Sequence, residues 1–175
     1  MVPYEPWQPG MRLTATRLRS ISPTWADWVP VWTTSTGANT PSLGNATVVA
    51  RYAQSALKVS FRMEITFGTM TNFGGGGSSD NWRFSLPVAA AGTQLIAGYG
   101  EAQDSATGGT PSSLRVPLRP RLTTTTTLEL ETSGGATGFA GGYAATPNGL
   151  IDAVSPFTWA NTDTIRVFGE YEAAA

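Results

Sequence analysis

The sequence predicts a mainly-β protein: an antiparallel β-sandwich or jelly roll of about eight strands behind a short extended arm and helix. Three observations carry that expectation. From Leu57 to Phe67 every odd position is apolar and every even position is polar. Period two without a fault marks a strand with one buried and one wet face. Helical spacing would scatter the same side chains around an axis. A second alternating run follows a glycine-rich turn, with Trp82, Phe84, Leu86 and Val88 set against Arg83, Ser85 and Pro87. The two runs read as an antiparallel hairpin. Elsewhere, short apolar stretches lie between clusters of Gly, Pro, Asn and Ser, the punctuation of an all-β chain.

In chain order, residues 1–28 form the arm and 29–175 the β-domain. Met1 to Gly10 holds three prolines with Tyr4 and Trp7, so it is extended and unfit for a sheet centre. Met11 to Ile21 reads as a short helix that Thr14 caps and Pro23 ends. It is too short to be stable alone and needs a partner surface. Trp25, Trp28 and Trp32 follow; large aromatics beside the start of a domain ordinarily seal the core, with a sugar-stacking platform as the alternative. Strands are expected at Val31–Thr36, Thr47–Tyr52, Leu57–Phe67, Trp82–Val88, Thr93–Glu101, Leu114–Arg119, Thr123–Thr132 and Thr164–Tyr171, with a short one at Gly149–Val154. Gln54–Ser55 reads as the turn before the long strand. At about 3.3 Å per residue, Leu57–Phe67 would run roughly 36 Å. Pro117 sits in a run that should therefore lie at a sheet edge. In the last strand Ile165, Val167 and Tyr171 share one face.

The chain has 175 residues, enough for one domain with an appendage. Charged residues are 13%, about half the usual share. Net charge is −1, so no global field draws nucleic acid or an anionic membrane. There is no Cys and no His, which removes disulfides, thiolate or imidazole zinc sites and every His-based triad. No apolar run is long enough to span a bilayer, and residues 1–20 lack the apolar stretch of a secretory signal.

Candidate chemistry is sparse. Gly74–Gly77 lacks the Lys-Ser/Thr ending and the helix of a phosphate loop, and reads as a hairpin tip. Glu129 with Glu131, and Glu170 with Glu172, are same-face pairs of the kind a glycosidase uses; such pairs are ordinarily solvated. Arg115, Arg119 and Arg121 form a basic strand face, expected to pair with Glu129 and Glu131 on a neighbour. Asp104, Asp152 and Asp163 lie near loops but lack the ligand spacing of a calcium loop. Thr123–Thr127 reads as a hydroxyl ladder that a trimeric fibre could share between chains. Neither a catalytic residue, a metal nor a cofactor is assigned.

The segment Pro6-Trp7-Gln8-Pro9-Gly10-Met11-Arg12-Leu13-Thr14-Ala15-Thr16-Arg17-Leu18 resembles the start of many tailed-phage fibre and minor tail proteins. There, an aromatic-Pro-Gly lead precedes a short helix that docks the protein to the virion; the family's Asn after the last Leu is Arg19 here. The remainder resembles the C-terminal β-domains of minor tail or tail-fibre-like proteins of phages of actinobacteria. Trp28-Val29-Pro30-Val31-Trp32-Thr33, Asn81-Trp82-Arg83-Phe84-Ser85-Leu86-Pro87 and Pro156-Phe157-Thr158-Trp159-Ala160 carry this resemblance. It implies a non-enzymatic virion protein, often a homotrimer, assembled in the host cytoplasm beside other tail or capsid proteins. It implies neither nucleic-acid binding nor membrane insertion.

The expected function is a short tail fibre or receptor-binding spike. Trp7, Pro9, Gly10, Met11, Leu13 and Leu18 would anchor it. Loops 69–81, 103–111 and 134–148 would meet a host cell-surface glycan through Phe73, Phe139 and Tyr143. A capsid decoration (head-fibre) protein is the alternative, and a glycan-cleaving domain a more distant one.

Overall fold

The computed structural model describes residues 8–75, 80–93, 96–105, 114–133 and 149–175. One short helix, α1 (Ala15–Ile21), precedes nine strands: β1 (Ala26–Asp27), β2 (Trp32–Thr34), β3 (Thr47–Ser55), β4 (Lys58–Thr66), β5 (Trp82–Ser85), β6 (Gly98–Asp104), β7 (Leu114–Leu122), β8 (Thr127–Thr132) and β9 (Thr164–Glu172). The Thr14 hydroxyl accepts the Arg17 N–H at 3.3 Å, the cap the sequence predicts for α1. All strand pairs are antiparallel, in one sheet of order β1-β3-β4-β9-β6-β7-β8-β5-β2. The protein is mainly β, with a curled sheet of the β-sandwich or jelly-roll kind.

The curl follows from connectivity. β1 and β2 occupy opposite ends of the strand order, yet only residues 28–31 separate them. That span is roughly 17 Å fully extended, so the two edges must come back together. The connector is stitched to both sides. The Trp28 N–H donates to the Ala50 carbonyl at 2.9 Å, and the Ser85 N–H to the Val31 carbonyl at 2.9 Å.

β4 behaves as its alternation requires. Val59, Phe61, Met63 and Ile65 are buried, while Lys58, Arg62 and Glu64 are exposed. Its partners are β3 and β9, not β5. The expected hairpin with the Trp82 run is therefore corrected: β5 pairs with β2 and β8 across the sandwich. Two alternating strands close in sequence need not pair when both can present an apolar face to one core. The tight turn before β4 is Ala56–Leu57 rather than Gln54–Ser55, since Ser55 pairs with Lys58.

β7 is central, between β6 and β8, despite two prolines. In an antiparallel strand a residue's N–H and C=O point to the same neighbour. The Pro117 carbonyl accepts from Ser133, just past β8, and the Pro120 carbonyl from Ala97, just before β6. Each missing N–H thus faces the end of a neighbouring strand, where few ladder bonds are lost. The Thr run is also corrected: residues 123–126 form the β7–β8 connection, and the Thr124 hydroxyl accepts the Thr126 and Thr127 N–H groups. Residues 149–154 form no named strand, only isolated bridges at Leu150 and Asp152. The sheet begins inside the expected arm, at β1.

An aromatic cluster fills the core. Trp82 lies 4.6 Å edge-on from Trp32 and 4.9 Å from Trp159. Trp32 also stacks on Phe84 at 5.8 Å and Phe67 at 5.5 Å. Tyr171 ties β9 to the segment after β5, donating to the Val88 carbonyl at 2.7 Å; burial pushes its phenol up to about 12.

Where β6 and β9 run side by side, Gly98 pairs with Gly169. A Cβ on Gly169 would collide with the Ala97 carbonyl, and one on Gly98 with the Phe168 carbonyl. Gly169→Ala should therefore push β6 away and cost about 3 kcal/mol. A urea midpoint equal to that of the wild type would refute this close approach.

Candidate functional site

Outward positions of adjacent strands line up in rows. Arg62 on β4 pairs with Phe168 on β9, which pairs with Tyr99 on β6. These side chains share the sheet's outer face and span about 10 Å at ordinary strand spacing. Phe168 and Tyr99 are each 62% exposed. Trp25, just before β1, closes the Arg62 end, with the guanidinium carbon 5.6 Å from the ring centroid.

Two hollows share this row as their common wall. One, of about 960 Å³, is lined by Trp25, Leu57, Lys58, Ser60, Ile96 and Glu170 among others. The other, of about 580 Å³, is lined by Val49, Glu64, Glu101 and Arg166 among others. Both lie within the size range of ligand sites.

Five of the charges around the row are paired within the face. Lys58 meets Glu170 at 2.5 Å. Arg166 bridges Glu64 and Glu101, each at 3.1 Å, and also donates to Gln103 at 2.9 Å. These carboxylates remain partly exposed, so they keep open acceptor positions.

None of the expected site residues that the structure describes belongs to this row. Gln8–Met11 is a tight turn, closed by the Met11 N–H donating to the Gln8 carbonyl at 3.2 Å. Gly10 has φ +82°, the left-handed position that a type II turn gives to glycine after proline. Pro9 and Gly10 are exposed and Met11 is half-buried. Leu13 and Leu18 are 58% and 46% exposed. Trp7, Phe139 and Tyr143 lie outside the described residues. Phe73 is a correction: its ring turns inward, 5.0 Å from Phe67 and 6.2 Å from Trp82. Paired bonds between Ser42 and Asn72 hold that loop against the body, and burying the ring gains more than exposing it. Of the three early tryptophans, Trp28 and Trp32 seal the core as expected, while Trp25 faces the outer groove.

The carboxylate pairs separate. Glu129 is 3% exposed, a correction to the solvated reading. Its carboxylate takes the Arg83 guanidinium at 2.7 Å, while Glu131 takes Arg119 at 3.0 Å and Arg121 at 3.1 Å. Alternating signs across β5, β8 and β7 leave these acids engaged. Glu170 and Glu172 are exposed and line the larger hollow.

Three aspartates tie loops together. Asp80 accepts the Thr36 N–H at 2.9 Å and hydroxyl at 2.7 Å. Burial alone would raise its carboxyl, but these donors outweigh it and hold it below the usual value. Asp163 is fully buried and accepts the Ser105 N–H at 2.7 Å and the Ala160 N–H at 2.7 Å. Burial pushes Asp163 and Asp152 above the usual carboxylate range despite their donors. Among the described residues no cluster of acids could hold a metal ion.

A raised native value means that the folded state holds the Asp163 proton more tightly than the unfolded chain does. Its contribution is then fully present below pH 3.8 and is lost as pH rises through the native value. Wild-type stability relative to Asp163→Asn should fall between pH 3 and pH 7 in urea titrations. A difference independent of pH would refute the shift.

Sequence reasoning missed Tyr99 and Phe168. The usable signal was parity: with Ile165, Val167 and Tyr171 inward, Phe168 stands on the wet face, where an aromatic is unexpected. No helix among the described residues is long and apolar enough to cross a membrane. No family model matches the chain, and no curated protein or solved structure matches it either.

Proposed function

We propose that the chain is a non-enzymatic structural protein of a tailed-phage particle, a short tail fibre or receptor-binding spike. Its N-terminal arm attaches to other virion proteins and its β-body meets the host surface. The contrast between arm and body carries this reading. The body closes its own core, whereas the arm exposes Leu13 and Leu18 around a seven-residue helix. A helix of that length gains its stability from a surface it packs on, and those two leucines supply the apolar contact. The resemblance of Pro6–Leu18 to phage docking segments agrees with this division of labour.

The test is gold labelling of intact particles with an antibody raised against the folded chain, viewed by electron microscopy. Label confined to the tail tip is the expected result. Label spread over the head would replace the spike with capsid decoration, and unlabelled particles would overturn the virion reading. Cleavage of a glycan by the purified chain would overturn the non-enzymatic part.

A further inference from the structure

We propose that the outer-face row Arg62–Phe168–Tyr99, with the two hollows beside it, binds an uncharged oligosaccharide. This deepens the receptor reading above and moves the contact from the loops to the sheet face. Two adjacent aromatic rings exposed on neighbouring strands offer apolar faces against which the C–H faces of sugar rings can lie. The hollows on either side place Ser60, Glu170 and Lys58 at one flank and Glu64, Glu101 and Arg166 at the other. Carboxylates and a guanidinium there can accept from and donate to sugar hydroxyls, which both donate and accept. A linear chain lying over the ridge would use both hollows at once.

Charge selects the occupant. Along the face three bases, Lys58, Arg62 and Arg166, interleave with four acids, Glu64, Glu101, Glu170 and Glu172, and five of these seven are ion-paired within it, so a charged ligand of either sign meets like charges beside opposite ones. A neutral, hydroxyl-rich one adds hydrogen bonds to groups that keep open positions. The Gly98–Gly169 close approach keeps β6 and β9 in contact beneath the rings, so the platform is set before the ligand arrives.

The experiment is isothermal titration of the full chain with neutral glucan, galactan and mannan hexasaccharides, beside Tyr99→Ala, Phe168→Ala and the double variant. Both residues are exposed, and near-ultraviolet circular dichroism with urea midpoints checks that the variants fold. At least one hexasaccharide should bind, each single variant should weaken it about tenfold, and the double variant should abolish it. Absence of binding to every hexasaccharide, or unchanged affinity in the double variant, would overturn the site. So would light scattering that shows an oligomer which the double variant turns into monomer. Tail-tip labelling that persists alongside any of these results would leave the spike reading intact and remove only this site.

Discussion

Trp82→Ala should destabilise the protein by about 3–5 kcal/mol, the range for removing a large aromatic from a core that cannot fully collapse. Trp82 is fully buried at the centre of the aromatic cluster. Its ring meets Trp32 from β2, Phe67 at the end of β4, Phe73 from the following loop and Trp159 before β9. These groups come from both halves of the curled sheet, so the cavity would open where the halves meet. Backbone bonds hold the surroundings in place: the Trp82 N–H donates to the Ile151 carbonyl at 2.9 Å. Guanidinium denaturation of the wild type and the variant measures the difference. A loss below about 1 kcal/mol would mean that the cluster repacks and is not a rigid core. Trp82→Phe should recover part of the loss by refilling part of the space.

Arg83→Met comes second, with an expected loss of about 3–5 kcal/mol at neutral pH, because the change leaves a buried charge without its partner. The Glu129 side chain is 4% exposed and takes the Arg83 guanidinium at 2.7 Å. Arg121 stands opposite Glu129 on β7, but its guanidinium bonds to Glu131. Removing Arg83 therefore exposes the full cost of desolvating Glu129. Arg83→Met combined with Glu129→Leu should restore most of the stability, since an apolar pair of similar volume replaces a buried ion pair at little cost. A double-mutant cycle in urea reads the coupling. If the double variant is as unstable as Arg83→Met alone, shape rather than charge governs this site.

The alternation from Leu57 to Phe67 placed the buried and wet faces of β4 correctly, because burial on a strand follows parity alone. The same local rule marked Trp82 and Phe84 as core, and N-cap preference marked Thr14. Pairing partners were beyond its reach. Whether β4 joins β5 or β9 depends on which of several apolar faces meet across a core, and that choice is made by long-range packing. Pro117 and Pro120 illustrate the point. Proline chemistry excludes a missing N–H only where a neighbour needs it, and only the lengths of β6 and β8 decide where that is. Glu129 was read as solvated because parity puts it outside; Arg83 on β5 bonds to it and Arg121 on β7 stands opposite it. The candidate binding row was legible only as an anomaly, an aromatic at Phe168 on a wet position. That Arg62, Phe168 and Tyr99 stand side by side was decided by the β4–β9–β6 order, which brings together residues far apart in sequence. Composition and period determined what each strand buries. The closure of the sheet determined which side chains meet on its outer face.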